Sequence, residues 1–367
     1  MRIKNLELKN YRNCKEIYLD FNTDKVLIIG KNAQGKTNIL ESIYFLSTLK
    51  SPRTSNNTEL INFDEDKVNL LADIIKSDTD IELEYIYNRE KSRELKVNKL
   101  KTTPKNFKSV LKTVLFSTND LLLLRGNPSD RRDWLDRAIS QIYPAYDERL
   151  SKYDKIRIQK NNCLKDYLKT GLLNNTLLDV YNEQLAVTGS NIIYLRIRFL
   201  KEIEKIASEK HHIISETEQL RMKYDNSFLT EETELEAILE KYKTALEERK
   251  QEELRRGQAC VGPHRDDIIF YINENDASKF ASQGQQRTVV LALKLSELDI
   301  ITSKTGEEPV LLLDDVLAEL DDIRQNYLLK SINKNTQTII TSVDTVLFEK
   351  EFLQDVKIYN IENGAIK

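Results

Sequence analysis

The 367-residue sequence predicts an α/β fold in which a phosphate-binding loop opens a sheet, an antiparallel β layer flanks it, and a helical lobe is inserted before the sheet is completed. Three observations carry this. Val26-Leu27-Ile28-Ile29 runs into Gly30-Lys31-Asn32-Ala33-Gln34-Gly35-Lys36-Thr37 and then into the helix-like Asn38 to Leu46, the strand, glycine loop and helix that such a loop requires. From about Asp130 to Lys210 apolar residues recur at helical spacing. Strand-like Val310 to Leu313 and Thr338 to Thr341 then return, about 250 residues or more after the loop, so the chain folds back to finish its first sheet.

The opening residues place Ile3, Leu6, Leu8 and Tyr11 loosely in alternation with polar residues, as an edge or half-buried strand does. Val68 to Ile74 and Ile81 to Tyr87 repeat the pattern, and together these segments make the antiparallel layer. In the helical block, Trp134, Leu135, Ala138 and Ile142 lead on to Leu185, Ile192, Ile193, Leu195, Ile197 and Leu200, with charges of both signs on the polar faces. No sustained heptad is present. Leu220 to Tyr224 reads as a strand, the acidic stretch Glu231 to Arg256 as helix, and Ile268 to Asn275 as a strand entering a turn. Helix is expected again at Thr288 to Leu298 and Tyr327 to Ile332. The division expected is a head of residues 1–115 with 216–367 and an inserted helical lobe of residues 116–215.

Composition narrows the function classes. Hydrophobic residues at 40% and charged ones at 31% fit a charge-rich globular chain. No run of 18 apolar residues and no basic-then-apolar leader is found, so a cytoplasmic protein without membrane association is expected. Cys14, Cys163 and Cys260 are odd in number and far apart, which argues against a disulfide or zinc framework. A net charge of −3 excludes a uniformly basic nucleic-acid binder but not a local basic patch.

The chemistry of the loop is that of a nucleoside triphosphate with magnesium, ATP in the first instance. Gly30 and Gly35 let backbone N–H groups converge on a phosphate, and the helix after Lys36 adds its positive end. Lys36 is expected to reach the β and γ phosphates, and the Thr37 hydroxyl to ligate magnesium. Leu311-Leu312-Leu313-Asp314-Asp315 reads as a buried strand ending in two carboxylates: Asp314 for the metal, Asp315 as the base that polarises the attacking water. Ser282-Gln283-Gly284-Gln285 opens another helix and offers a second anion site at its N-terminus. One chain has only one γ-phosphate to bind, so a head-to-tail pair of subunits, each completing the other's site, is the economical arrangement. A plain N-cap serine remains the alternative.

These three motifs resemble the ATP-binding-cassette core, with Ala281 to Gln285 in the place of its signature and Ala318-Glu319-Leu320-Asp321 in the place of its D-loop. Within that superfamily the chain resembles the RecF family along essentially its whole length. The resemblance rests on Asn10-Tyr11-Arg12-Asn13, on Gly126, Pro128, Arg131, Arg132, Trp134 and Asp136, on Gly262-Pro263-His264-Arg265-Asp266-Asp267, on Ser282 to Arg287, and on Asp314 to Asp321. It implies an ABC-type P-loop ATPase head that binds double-stranded and gapped DNA, forms an ATP-dependent homodimer, hydrolyses ATP slowly and acts with RecR and RecO to load RecA. Nucleotide-binding roles follow for Gly30, Lys31, Asn32, Gly35, Lys36, Thr37, Asn38, Arg12, Ser282, Gly284 and Gln285, with Thr37 and Asp314 at the metal and Lys36 and Asp315 catalytic. Two departures bear on the coupling between ATP and the helical lobe and, together with Asp315 in place of the commoner glutamate, on turnover, which is expected to be slow. Phe116-Ser117-Thr118-Asn119-Asp120 lacks the proline and one acid usual there, and Thr341-Ser342 stands where many cassette proteins carry a switch histidine.

For DNA, residues Arg89 to Lys112 carry nine basic against two acidic residues, a net of +7. Lys91, Arg93, Lys96, Lys99, Lys101 and Lys105 are the candidate phosphate contacts; a solvated lysine-rich hairpin is the plainer reading. Arg131, Arg132, His264 and Arg265 are open between DNA, a partner and purely structural roles. Asp266-Asp267 keeps a metal-dependent nuclease in view, and a transport ATPase subunit or an ATP-binding scaffold are further alternatives.

Overall fold

The computed structural model describes residues 1–229, 234–333 and 335–367. In chain order, the elements run β1 (Arg2–Tyr11), β2 (Cys14–Asp20), β3 (Lys25–Ile29), α1 (Lys36–Thr48), β4 (Lys67–Lys76), β5 (Thr79–Asn88), β6 (Arg93–Val97), β7 (Leu100–Lys101), α2 (Pro104–Lys108) and β8 (Thr113–Ser117). Then come α3 (Pro128–Ile142), α4 (Tyr146–Thr170), α5 (Asn175–Ser215), β9 (Leu220–Asp225), α6 (Leu235–Glu248), α7 (Lys250–Arg256), β10 (Asp267–Ile272), β11 (Asn275–Asp276) and α8 (Ala277–Phe280). The chain closes with α9 (Gln283–Thr305), β12 (Val310–Asp314), α10 (Asp322–Ser331), β13 (Thr338–Ser342), α11 (Lys350–Leu353), β14 (Val356–Glu362) and β15 (Ala365–Ile366).

Two compact units result, one of Met1–Leu122, Ile213–Glu216 and Gly284–Lys367, the other of Leu123–His212 and Thr217–Gln283. The first holds two six-stranded sheets, ordered β2-β1-β4-β5-β6-β7 and β15-β14-β3-β13-β12-β8. The former is antiparallel. In the latter β14, β3, β13, β12 and β8 are parallel, and only β15 runs against its neighbour. Strand β1 is interior, between β2 and β4, and its uneven period has a cause: the register with β4 shifts between Ile3 and Asn5. A bulge there moves the buried side chains from odd to even positions, so Ile3, Leu6 and Leu8 all face the core.

Helix α1 lies in one continuous core with both sheets, and ten of its thirteen residues are buried, which explains why its sequence has no polar stripe. Phe45 meets Tyr85 of β5 edge to face at 4.7 Å. β12 is apolar on both faces, as a strand inside a covered parallel sheet must be. The two sheets are further tied by the buried Gln337 amide, which accepts from the Ile3 N–H at 2.7 Å and donates to the carbonyls of Ile3 and Phe21 at 2.9 and 3.0 Å.

The second unit packs α3 against β10, with Trp134 and Phe270 ring centroids 6.1 Å apart. Residues 217–283, expected with the head, therefore group with the helices instead. The reason is that β9, β10 and β11 form their own three-stranded sheet rather than joining either large one. Of the acidic stretch expected from Glu231, residues 231–233 lie outside those described; helix is present from Leu235.

Candidate nucleotide site

The parallel strands end at one level. In register, Asp314 of β12 pairs with Ser117 of β8 and Thr341 of β13, while Ser342 pairs with Ile29 of β3. A crevice outside the carboxyl ends of such strands is where open α/β sheets place ligands. Here it is a cavity of about 530 Å³ lined by the loop from Asn32 to Asn38 together with Asn13, Glu41, Arg53, Ser117, Asp314 and Asp315, among others.

The loop owes its path to two glycines. A Cβ on Gly30 would meet the Ile361 carbonyl oxygen of β14 at 2.4 Å, and Gly35, at φ +108°, caps α1 against the Asn13 side chain. Gln34 is gripped from the β14–β15 turn: its carbonyl accepts from the Gly364 N–H at 2.9 Å and its side-chain oxygen from the Asn363 N–H at 2.6 Å. Lys36 is 3% exposed, and its Nζ donates to the carbonyls of Gly30 (2.7 Å) and Lys31 (3.3 Å), 4.0 Å from Asp315 Oδ2. An ammonium so held inside the loop is aimed where a phosphate anion would sit.

Asp314 Oδ1 accepts from two hydroxyls, Thr37 Oγ1 and Thr341 Oγ1, each at 2.9 Å. Burial raises the Asp314 carboxyl above its usual range, only partly offset by those hydroxyls. Asp315 sits at φ +51°, and its N–H donates to Thr341 Oγ1 at 2.9 Å. Thr341, standing where a switch histidine is common, thus spends its hydroxyl orienting both carboxylate residues.

Arg12 is engaged by an acidic residue of α1. It turns at φ +51° between β1 and β2, and its guanidinium grips the buried Glu41 carboxylate with two bonds of 2.5 and 2.6 Å. It is absent from the cavity lining, which instead includes its neighbour Asn13 and Arg53. Arg53 donates to Asn38 Oδ1 at 2.7 Å, and Asn38 in turn donates to Asn13 Oδ1 at 2.6 Å. Sequence reasoning missed Asn13, Glu41 and Arg53; Glu41, the one acidic residue of α1, was the available signal. Ser117, Thr118 and Asn119 line the cavity, whereas Ser282, Gly284 and Gln285 do not.

The candidate DNA residues occupy the β5–β6 turn (Lys91), the β6–β7 hairpin and α2. Asn98 and Lys99 both have positive φ in the two-residue turn of that hairpin. Lys91, Arg93, Lys99, Lys101 and Lys105 are exposed. Lys96 pairs at 2.9 Å with Glu84, which lies outside the counted segment and compensates one of the net seven charges, while Lys101 pairs at 3.3 Å with Glu94, an acid that count already includes. Arg89 is spent on the carbonyls of Asn62, Phe63 and Glu65.

In the second unit the two remaining motifs prove to be partners. Arg131 holds Asp267 with bonds of 2.7 and 2.8 Å, Arg132 donates to the Asp266 carbonyl at 2.8 Å, and Asp136 pairs with Arg196, which also donates to the Pro263 carbonyl at 2.6 Å. Asp266 accepts from Tyr224 at 2.5 Å, and burial pushes it up to about 6. His264 Nδ1 lies 2.7 Å from Tyr153 Oη and Nε2 3.3 Å from the Ala259 carbonyl, which can only accept; Nε2 therefore carries the proton. Burial, reinforced by nearby arginines, holds His264 down at about 3. These contacts join the two motifs within the unit, and among the described residues no group of three metal-ligating side chains gathers at Asp266-Asp267 or elsewhere. No helix among them is long and apolar enough to cross a membrane, and the three cysteines are free.

Phosphate loop, twin carboxylates at a strand end and an inserted second unit together define an ATP-binding-cassette ATPase head of the SMC kind. The family model for the RecF/RecN/SMC N-terminal domain matches residues 2–367. The chain is 39% identical, over 100% of both sequences, to the DNA replication and repair protein RecF of Bacillus subtilis (strain 168). It aligns with a solved structure of the recombination mediator protein RecF with ATP, in the RecFOR pathway, at TM-score 0.91 and 36% identity, covering 100% of this chain and 96% of that one. An Smc head bound to the C-terminal winged-helix domain of ScpA shares the fold at TM-score 0.57 and 16% identity, covering 100% of this chain and 96% of that one. The chain belongs to the RecF family.

Proposed function

We propose that the protein is an ATP-gated DNA-binding switch of recombinational gap repair. ATP bridges two copies, the pair holds double-stranded DNA near a single-strand gap, and slow hydrolysis releases it. It acts with RecR and RecO in loading RecA. The observation that carries this reading is the cluster of Lys36, Thr37, Asp314 and Asp315 at the mouth of the cavity, with Thr37 and Asp314 oxygens 2.9 Å apart. That pair of hard oxygen ligands fits a magnesium ion arriving with its nucleotide, and Asp314, pushed toward its neutral form by burial, gains from a cation beside it. Bound there, the ion neutralises charge on the phosphates.

The loop amides and Lys36 bind the phosphates; Gly30, Lys31, Asn32, Gly35 and Asn38 shape that cradle. Arg12 acts through Glu41, and Arg53 supplies the cation that faces the cavity. Asp315 takes a proton from the attacking water. A shorter side chain than the usual glutamate, and a Thr341 hydroxyl already committed, support slow turnover. Ser282, Gly284 and Gln285 lie outside their own chain's cavity lining, which supports their serving the nucleotide of a second copy.

The test is mass by light scattering with ATP and magnesium, with ADP and with neither, for wild type, Lys36→Ala and Ser282→Arg. A dimer only with ATP, lost in both variants, is expected. Unchanged mass in every condition sinks the shared-site reading.

A further inference from the structure

One acidic residue joins the cavity wall to the helix opened by Ser282-Gln283-Gly284-Gln285. Ser117 ends β8, lines the cavity and stands level with Asp314 in the sheet. Its N–H and hydroxyl both donate to Asp120 Oδ2, at 2.8 and 2.9 Å. The other oxygen of the same carboxylate, Oδ1, lies 2.9 Å from Lys294 Nζ, on the fourth turn of α9. Lys294 is 6% exposed and also lies 3.5 Å from Glu297.

A second tie grips the same helix near its start. Arg287 pairs with Glu319 at 2.9 Å, and Arg324 Nε donates to Thr288 Oγ1 at 2.8 Å. Glu319 and Arg324 belong to the stretch that follows Asp315. Helix α9 is therefore fastened to two of the strands that end at the cavity, β8 through Asp120 and β12 through the segment after it.

We propose that Lys294 is a positioning residue that couples the occupancy of the nucleotide cavity to the helix carrying Gly284 and Gln285. A carboxylate split between two partners transmits displacement as a short rigid link. When Ser117 shifts against a bound nucleotide, Asp120 and Lys294 shift with it, because drawing the buried ammonium off the carboxylate at 2.9 Å would trade that contact for the longer one to Glu297 in a poorly polarisable interior. Close packing then moves α9 as a body rather than absorbing the change locally. Gly284 is ten residues from Lys294, about 15 Å along the axis, so a small tilt at Lys294 re-aims the helix end that a second copy would meet. The inference rests on the ATP-bridged pair proposed above and adds the means by which the empty cavity withholds it.

The experiment measures two quantities for wild type, Lys294→Met, Lys294→Arg and Asp120→Asn: ATP affinity by calorimetry, and the protein concentration at which ATP with magnesium doubles the mass. Lys294→Met is expected to bind ATP within about threefold of wild type but to need about tenfold more protein to pair. Lys294→Arg, which keeps the charge, restores pairing. Asp120→Asn, nearly isosteric, repeats the methionine result and decides the matter if Lys294→Met does not fold. Pairing at the wild-type concentration in Lys294→Met or in Asp120→Asn overturns the proposal. So does a loss of ATP affinity equal to the loss of pairing, since the ion pair would then only hold the cavity wall. Wild type that never pairs with ATP overturns the switch itself and the coupling with it, an outcome distinct from wild type pairing and both variants pairing equally well.

Discussion

Thr341 serves Asp314 and Asp315 with one hydroxyl, donating to the first and accepting the N–H of the second. Thr341→Val keeps the shape and removes both bonds, leaving a buried acceptor short and a backbone N–H without its partner. A loss of about 1–3 kcal/mol in unfolding free energy is expected by denaturant titration. ATP turnover should fall about tenfold while ATP affinity changes little, because the metal ligand and the base both lose their support. His264 offers a test by pH. Its folded value of about 3 lies below the ordinary 6.5, so its contribution to stability is complete above pH 6.5 and drains away as pH falls toward 3. Asp266 works the other way: raised to about 6, it favours the fold most at low pH and loses that as pH climbs through 6. Because the two oppose each other, wild type conceals the effect. His264→Gln should gain about 2 kcal/mol on wild type between pH 7 and pH 5, measured by urea unfolding at each pH. The phosphate-loop residues and the Asp314-Asp315 pair were legible because their chemistry is local in sequence. Arg53 was missed, and the hold of Arg12 on Glu41 was not foreseen, because the Glu41 carboxylate beside both arginines is presented only by the folded helix.

At the level of elements, the lysine-rich segment divides into charges with partners and charges facing solvent. Replacing Lys91, Arg93, Lys99 or Lys105 by alanine should weaken duplex binding and lower the slope of log affinity against log salt by about one each, read from filter or anisotropy titrations over a salt series. Lys96→Ala and Lys101→Ala should do less, since Glu84 and Glu94 already compensate those ammonium groups. Equal effects from all six would argue that the glutamates swing away and the hairpin acts as one charged rod. Elements with a clean period were readable from sequence: α1 from its loop, β12 from its apolar run, β4 and β5 from alternation. β2 was not, because a short strand with a charged face looks like coil until a neighbour pairs with it, while β6 and β7 were legible only as a lysine-rich hairpin without bounds. The motifs from Gly126 to Asp136 and from Gly262 to Asp267 were visible as patterns but mute as to purpose. Their meaning lies in each other, Arg131 in Asp267 and Arg132 in the Asp266 carbonyl.

For the whole molecule, the two-unit division was readable and its border was not, since no sequence signal tells that β9 and β10 pair only with each other and β11. Gly30→Ala tests how the first unit is closed. Its methyl group would meet a backbone carbonyl of β14 that cannot step aside, so loss of ATP binding together with a lower unfolding midpoint is expected. Retained affinity would mean that β14 stands off the loop in solution. The strand leading into the phosphate loop, β3, pairs with β13 and β14 and with nothing nearer in sequence, so its partners arrive about 300 residues later. During synthesis at roughly 5–20 residues per second, that strand emerges from the ribosome well before the segments that cover its edges, by roughly 15–60 s. Val26, Leu27 and Ile28 are fully buried in the finished protein, but the nascent chain must carry them unpaired for that interval. Birth, more than the working cycle, is then when this molecule is most exposed to aggregation and most in need of a chaperone.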